Sequence, residues 1–310
     1  MNYVRMGNSG LKLTEITFGS ALTIGTENVE QEYANGLIDE AWDLGIRSFD
    51  VSNNYGVAEK LVSKALSRYP REEYVVSTKG SWPIGDTPYH RGLSRKHILW
   101  AFEESMKKME IDYVDLYYAH RYDPEVPMEE IVRTFNYLIG TGKIRYWATS
   151  EWPVTALKEC FDVCDRLGFE KPILEQSIYS FAVRKAETNG VQEFCRKNGM
   201  GMLGFSPLCQ GILTGKYRAG VPENSRMAKS KRINYNKTAN FYQQNKERID
   251  RYFEICDELR LNPTSIAIKW PIHKGIYPVL GASRLGQLSD TLSDLSQEID
   301  VEIWNRLEKI

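Results

Sequence analysis

Short apolar runs alternate with longer helical stretches along most of the chain. Each run is followed by a polar loop and then by apolar residues at helical spacing. The runs lie at Ile16–Gly19, Ser48–Asp50, Tyr74–Thr78, Tyr113–Tyr118, Ile144–Ala148, Ile173–Gln176, Gly201–Phe205 and Tyr277–Leu280. The helical stretches include Gln31–Leu44, Arg95–Met109, Pro127–Ile139 and Gln192–Lys197. Eight strands that alternate with helices match the count of a closed (β/α)8 barrel.

The alternation by itself also fits a doubly wound parallel sheet of similar length. In that fold a Gly-x-Gly-x-x-Gly sequence commonly follows a strand and binds a dinucleotide, and no apolar run here precedes one. We therefore predict an α/β fold in which a single (β/α)8 TIM barrel spans residues 1–310. A short β-hairpin over Val4 to Leu13, turning at Asn8-Ser9-Gly10, is predicted to precede the barrel.

One segment does not follow the alternation of apolar runs and helical stretches. Residues Gly220 to Asn240 are polar and basic and lack the period of a strand. A long structureless segment inside a compact domain is usually a lid or a binding loop. We expect this segment to be a lid or a binding loop that follows the seventh strand of the barrel.

The composition disfavours several classes of partner. The 310 residues are 42% hydrophobic, and 40 basic residues balance 41 acidic ones. This balance gives no overall field to attract nucleic acid or an anionic membrane surface, so a small-molecule ligand is expected. The N-terminus has no signal-peptide pattern, and no apolar stretch is long enough to span a bilayer. We expect a cytoplasmic protein without membrane insertion.

The five cysteines, Cys160, Cys164, Cys195, Cys209 and Cys256, form no Cys-x-x-Cys pair. Cys160 and Cys164 are one helical turn apart, a spacing that usually indicates packing. A reducing compartment is expected, and no metal site is predicted.

The ends of the predicted strands carry the residues that could perform chemistry. In a barrel of this type, active sites form where strands end and the following loops begin. The second strand ends at Asp50 and its loop carries Tyr55, while the third and fourth strands end at Lys79 and His120. A tyrosine is a poor acid near neutral pH, and a nearby ammonium would lower its pKa. Asp50 would hold that ammonium, and His120 would orient a substrate carbonyl while Tyr55 delivers a proton.

Each candidate also has a structural interpretation. A single Asp–Lys pair is usually a salt bridge, and a single tyrosine usually packs. Trp82 and Trp152 fall just past strand ends and are predicted to wall a substrate pocket, although loop tryptophans also cover barrel mouths. Four reactive side chains at neighbouring strand ends favour catalysis over packing.

Longer segments around these positions resemble the aldo-keto reductase family. They are GIRSFDVSNNYGVAE (45–59), STKG (77–80), DYVDLYYAHRYD (112–123), KIRYWATSEW (143–152), GFSPL (204–208), GILTGK (211–216) and GASRLGQ (281–287). Within the family, the chain is most similar to the branch of voltage-gated potassium channel β subunits and their microbial reductase relatives. That likeness is carried by GLSRKHI (92–98), PMEEIV (127–132) and Ser225-Arg226.

The resemblance implies a reaction and a catalytic tetrad. Asp50, Tyr55, Lys79 and His120 would reduce aldehydes or ketones to alcohols by hydride transfer from NADPH, with Tyr55 as the general acid. Ser150 and Gln176 would bind the nicotinamide carboxamide and Phe205 would stack on its ring. The other implied cofactor-binding residues are Gly19, Ser20, Asp50 and Glu151, then Ser206, Pro207, Leu208, Gln210, Gly211, Lys216 and Arg226 at the pyrophosphate, and Gly281, Ser283, Arg284, Gln287 and Asp290 at the adenosine end.

Two departures from the family pattern bear on the coenzyme. Glu151 stands where the family usually has Asn or Arg, and Asp290 and Thr291 replace the more usual Glu and Asn. A carboxylate at Asp290 would tolerate NADH. We nevertheless predict a preference for NADPH, because Arg284 and the backbone amides near Gly286 would bind the 2′-phosphate.

A cofactor-bound regulatory or scaffold subunit with slow turnover is the alternative function. Channel β subunits typically have Asn in place of His120 and often an extended N-terminal segment, whereas this chain begins almost directly at the barrel. These features favour an enzyme that acts on a small carbonyl compound. Similar proteins often form tetramers or octamers, which leaves a homo-oligomer open.

Overall fold

The computed structural model describes residues 1–25, 29–223, 225, 228 and 241–310. Its strands are β1 (Tyr3–Arg5), β2 (Lys12–Thr14), β3 (Thr17–Gly19), β4 (Ser48–Asp50), β5 (Val75–Gly80), β6 (Val114–Ala119), β7 (Ile144–Ser150), β8 (Leu174–Ile178), β9 (Gly201–Phe205) and β10 (Tyr277–Leu280). Its helices are α1 (Gln31–Asp43), α2 (Ala58–Leu66), α3 (Arg95–Met109), α4 (Met128–Gly140), α5 (Val154–Leu167), α6 (Lys185–Thr188), α7 (Val191–Asn198), α8 (Lys246–Glu258), α9 (Pro263–His273), α10 (Gln287–Leu292) and α11 (Val301–Glu308). Most of the predicted loop over 220–240, including Arg226, lies outside the described residues.

Strands β3 to β10 form a closed parallel barrel. Each pairs with the next along the chain, and β10 pairs with both β9 and β3, which closes the cylinder. Strands β1 and β2 form the antiparallel hairpin, with Tyr3 opposite Thr14. The predicted (β/α)8 barrel with an N-terminal hairpin is therefore confirmed.

The helices pack on the barrel through apolar stripes at helical spacing. In α4, Ile131, Val132, Phe135 and Leu138 are all buried, which is the i, i+1, i+4, i+7 pattern of one face. Burial of each such side chain contributes about 1.5–3 kcal/mol relative to exposure. Helix α3 begins where the Ser94 hydroxyl accepts a hydrogen bond from the amide of His97, at 3.3 Å.

The hairpin covers the end of the barrel at which the strands begin. Met6 and Leu13 are buried in a core cluster with residues that point into the barrel. Gly7 lies so close to the start of β9 that a Cβ there would be 2.0 Å from the carbonyl oxygen of Gly199. The amide of Asn8 donates to the same oxygen, at 2.8 Å. The opposite end, where the strands finish, is the one left for chemistry.

The described ranges contain no disulfide, no membrane-spanning helix and no group of metal-binding side chains. All five cysteines are free and buried. No described helix is long and apolar enough to cross a membrane. Nor do these ranges contain a group of three His, Cys, Asp or Glu side chains placed to hold a metal ion.

Candidate active site

The barrel brings the ends of its strands, and with them the predicted catalytic residues, to one mouth. Asp50 ends β4, Lys79 lies one residue before the end of β5, and His120 follows β6 directly. Parallel pairing places Asp50 beside Ser77 of β5 and Lys79 beside Tyr118 of β6. Because neighbouring parallel strands finish at the same edge, their terminal side chains converge.

Lys79 and Asp50 form a buried ion pair beneath this mouth. The exposed fractions of their side chains are 0% and 3%, and the Lys79 ammonium also donates to the carbonyl of Val51, at 2.8 Å. The second carboxylate oxygen of Asp50 accepts from Gln176 Nε2 at 3.0 Å and from Ser77 Oγ at 3.3 Å. Burial lowers the pKa of Lys79, and the carboxylate opposes that change. The pair is therefore held by several hydrogen bonds in a fixed place.

Tyr55 lies between this pair and the open end of the barrel. The Lys79 ammonium is 4.8 Å from the centroid of its ring, and the ring meets His120 edge to face at 5.8 Å between centroids. Burial raises the pKa of the Tyr55 phenol, Asp50 raises it further, and Arg121 opposes them. The Lys79 ammonium is bound to Asp50, and the expectation that it lowers the pKa of Tyr55 stays a prediction. Tyr55 stays protonated at neutral pH.

His120 is a neutral imidazole. Burial lowers its pKa well below the usual range, and the charges of Lys79 and Arg121 lower it further. Its Nδ1 lies 3.2 Å from Ser52 Oγ, and the Ser52 hydroxyl donates to Asn54 Oδ1 at 2.7 Å. The Ser52 hydroxyl has one hydrogen. While that hydrogen goes to Asn54, Ser52 Oγ accepts from Nδ1–H of His120. A Ser52 hydroxyl turned to donate to Nδ1 leaves the Nε2–H of His120 as a donor, so the orientation of this hydroxyl controls the tautomer.

Arg121 is a site residue that sequence reasoning missed. Its Nη1 donates to the carbonyl of His120 at 2.5 Å and to Ser150 Oγ at 3.1 Å. Its guanidinium also lies 5.3 Å from the ring of Trp82. The signal was present in the sequence, since Arg121 directly follows a residue predicted at a strand end.

Trp82 and Trp152 do not share one role. Trp82 is 39% exposed at the mouth, and its ring meets His120 at 6.1 Å. Trp152 is 2% exposed, packs edge-on against Tyr122 and donates its Nε1–H to the carbonyl of Ala119 at 3.1 Å. Trp152 therefore lies in the protein interior with its ring and its polar atom both in contact with other residues, and its role as a wall of the substrate pocket stays a prediction.

The loop after β9 has a strained backbone. Ser206, Cys209 and Gln210 have φ angles of 62°, 46° and 57°, a region that residues with a Cβ seldom occupy. Gly211 follows with φ of 91°, and a Cβ there would lie 2.7 Å from the ammonium of Lys216. Such conformations persist where the surrounding structure holds them, and they cluster at ligand-binding sites. The predicted segment Ser206, Pro207, Leu208, Gln210, Gly211 and Lys216 thus forms one folded loop beside the mouth.

Two backbone segments approach closely beside that loop. A Cβ on Gly281 would be 2.6 Å from the carbonyl oxygen of Gly19. Ser20 donates its hydroxyl to the carbonyl of Asp50 at 2.8 Å. Phe205, half-exposed, ends β9 and pairs in register with Val279 of β10. The ends of β9, β10, β3 and β4 therefore form a continuous arc that leads to the ion pair.

The loop after β10 differs from expectation. Arg284 pairs with Asp290 at 2.5 Å, and both side chains are more than 60% exposed. The amides of Gly286 and Ser289 each donate to the carboxylate of Glu40, at 2.9 Å. The amides expected to bind a phosphate therefore already hold a carboxylate. In the same loop, Ser283 bonds through its amide and hydroxyl to Gln287 Oε1, at 2.8 and 3.2 Å.

Two carboxyl groups lie on the other side of the mouth. Glu151 has a φ of 56° and accepts from the amide of Ile178 at 2.6 Å, which directs it to the end of β8. Glu175 is fully buried and accepts from Thr149 Oγ1 at 2.5 Å and from Ser177 Oγ at 3.1 Å. Burial raises the pKa of Glu175 to about 8. Sequence reasoning did not single out Glu175, because strand alternation does not show that a carboxyl is buried.

A closed parallel barrel with a buried Lys–Asp pair, a tyrosine and a neutral histidine at its mouth has the construction of an oxidoreductase. The family comparison agrees: the model of the Aldo/keto reductase family matches residues 15–310. The chain belongs to the aldo/keto reductase family.

Individual relatives carry two kinds of name. The chain is 33% identical to a protein of Schizosaccharomyces pombe named as a voltage-gated potassium channel subunit beta, over 98% of this chain and 92% of the relative. It is 35% identical to an Arabidopsis thaliana protein named likewise, over 94% and 90%. It is 30% identical to a second S. pombe protein, named as an aryl-alcohol dehydrogenase, over 99% and 95%. These names agree with the branch predicted from the sequence.

Proposed function

We propose that the protein reduces aldehydes or ketones to alcohols with NADPH, and that Tyr55 donates the proton. The observation that carries this proposal is the position of Tyr55, which contacts both the Lys79 ammonium and the His120 ring beside the mouth of the barrel. A protonated phenol at this point can give its hydrogen to a carbonyl oxygen that becomes an alkoxide.

The other tetrad residues would prepare that step. His120, neutral and with its hydrogen on Nε2 when the Ser52 hydroxyl turns to donate to Nδ1, would donate from Nε2 to the carbonyl oxygen and orient it. Lys79 would provide positive charge beneath the developing oxyanion, and Asp50 would hold Lys79 in place. When bound, NADPH supplies the hydride.

The residues present fit a dinucleotide. The close approach of Gly281 to Gly19 leaves no room for side chains, and the strained loop of Ser206 to Gly211 places Lys216 beside its backbone. Amides and an ammonium in such a loop suit a pyrophosphate. We assign the pyrophosphate to this loop and the adenosine end to the loop after β10. The nicotinamide is assigned to Phe205, Ser150 and Gln176. Arg226 keeps its proposed pyrophosphate role from the sequence alone.

A second candidate function is a slowly turning cofactor-bound subunit of a larger assembly. It is favoured by the names of two relatives, which refer to a potassium channel subunit. It is disfavoured by His120, because channel β subunits typically have Asn at this position. Cytoplasmic location and homo-oligomeric state stay predictions.

Replacement of Tyr55 by Phe tests the reductase. NADPH consumption with a panel of aldehydes, ketones and glyoxals should fall by about 10²–10⁴, the usual contribution of a general acid. NADPH binding, followed by fluorescence titration, should change little, because Phe keeps the ring. Tyr137→Phe, on the exposed face of α4, is the matched control. Wild-type turnover in the Tyr55 variant would reject Tyr55 as the acid, and turnover near zero in the wild type would favour the subunit function.

A further inference from the structure

Arg121 turns back across the mouth of the barrel instead of extending into solvent. Its Nη1 is held by the His120 carbonyl and by Ser150 Oγ, on the ends of two neighbouring strands. The guanidinium is thus fixed over the mouth by the backbone of one strand end and the side chain of the next.

The positive charge at this position has no ion-pair partner among the described residues. Arg121 forms no ion pair within 4.0 Å in those ranges, and its hydrogen bonds there come from Nη1. Glu151, the carboxylate with the largest electrostatic effect on Arg121, is bound to the amide of Ile178. An arginine has five N–H donors and stays charged in proteins. Arg121 is half-buried, so its Nε and Nη2 donors are open to a ligand.

The free donors lie beside the proposed reaction centre. Trp82 is 5.3 Å from the guanidinium and 6.1 Å from the ring of His120, which in turn meets Tyr55 at 5.8 Å. A carbonyl bound at Tyr55 and His120 would place its substituent against Trp82, within reach of Arg121. A planar guanidinium with two adjacent free donors is suited to a carboxylate.

We propose that Arg121 selects carbonyl substrates that carry a carboxylate a few atoms from the carbonyl, such as aldehyde acids. The proposal rests on the proposed reductase function and specifies the substrate class of the same site. Trp82 forms the apolar wall between the two ends of such a substrate, and Arg121 binds its charged end.

Matched substrate pairs test this inference. The pairs are 4-carboxybenzaldehyde with its methyl ester, and succinic semialdehyde with butanal. In the wild type, kcat/KM should be higher for the acid of each pair, and added salt should reduce that difference. In Arg121→Met the ratio of acid to neutral kcat/KM should fall roughly tenfold to hundredfold, mainly through KM for the acid.

Two further variants separate substrate binding from support of the fold. Arg121→Lys keeps the charge without the planar fork and should restore part of the ratio. Arg145→Met removes an exposed arginine near the start of β7, at the opposite end of the barrel, and should leave the ratio unchanged. A proportional loss for both members of each pair in Arg121→Met would show that Arg121 only braces Ser150 and His120, and would overturn the inference.

Anion binding is also measured without turnover. Benzoate is titrated into the protein alone, and tryptophan fluorescence is followed, because Trp82 adjoins Arg121. Saturable quenching supports the inference if the Kd for benzoate rises at least about tenfold in Arg121→Met. Equal Kd values for the two proteins overturn it. Absence of NADPH consumption with every aldehyde would reject the reductase function, while this titration still decides whether Arg121 binds carboxylates.

Discussion

Replacing Lys79 with Met should leave the carboxylate of Asp50 buried without its counter-ion. Met has a similar length to Lys, so the loss of packing is small. Asp50 keeps its hydrogen bonds from Gln176 and Ser77. Removal of one partner of a buried ion pair costs about 3–5 kcal/mol of unfolding free energy, because the remaining charge is uncompensated. Solvent cannot reduce this cost, since Asp50 is only 3% exposed.

The cost converts into a measurable shift of the melting temperature. At about 2.1 cal/mol/K per residue, 310 residues give an unfolding entropy of about 0.65 kcal/mol/K. A loss of about 3–5 kcal/mol then lowers Tm by about 5–8 °C, and urea unfolding at pH 7 gives the free energy directly. The double variant Asp50→Asn with Lys79→Met removes both charges and should regain much of the loss.

The double variant also separates stability from catalysis. It should stay inactive in carbonyl reduction even where its Tm recovers, because the charge beneath the reacting oxygen is gone. A Lys79→Met protein as stable as wild type at pH 7, or a double variant less stable than the single one, would refute the account of a buried charge that depends on its partner.

Four other substitutions test three other parts of the site. His120→Asn should lower kcat at least about tenfold while NADPH affinity is retained; an unchanged kcat would reject His120 as the orienting donor. Burial raises the pKa of Glu175 from 4.5 to about 8. As the pH rises, Glu175 therefore loses its proton in the unfolded chain before it does so in the folded protein. The free energy of unfolding of the wild type should fall between those pH values by up to about 5 kcal/mol. In Glu175→Gln, the free energy of unfolding from urea titrations should depend less on pH over this range. Parallel pH profiles of the variant and the wild type would contradict a raised pKa of Glu175. Arg284→Ala should narrow the preference for NADPH over NADH roughly tenfold by raising the Kd for NADPH. Asp290→Asn should widen the preference, because it releases Arg284 from its ion pair. Fluorescence titrations in which both variants keep the wild-type ratio of the two Kd values would show that Arg284 and Asp290 do not set the coenzyme preference.

The barrel could be predicted because its strands are buried on both faces and separated by amphipathic helices. The predicted bounds of Ser48–Asp50, Gly201–Phe205 and Tyr277–Leu280 are those of β4, β9 and β10. Parallel pairing then requires the strand ends to meet, so the position of Lys79 next to Asp50 follows from the strand count.

The direction of a loop side chain could not be predicted in the same way. Trp152 and Arg121 both follow strand ends, yet one is buried and the other crosses the mouth. The difference depends on distant partners: the Ala119 carbonyl binds Trp152, and Ser150 Oγ binds Arg121. Glu40 likewise reaches the loop after β10 only because α1 and α10 are neighbours in the fold. Such contacts join residues that are far apart in the sequence, and the spacing of apolar residues does not predict them.

The charges at the mouth set a preferred direction for the proposed reaction. Reduction needs a protonated Tyr55, and oxidation of an alcohol needs its phenolate. Burial and Asp50 raise the pKa of Tyr55, so the acid form predominates across the neutral range. Arg121 is the cation that opposes this rise, which gives it an electrostatic effect on the acid in addition to its proposed contact with substrate. Oxidation should therefore require more alkaline solution than reduction, and loss of the Arg121 charge should move the pH dependence of oxidation still further upward.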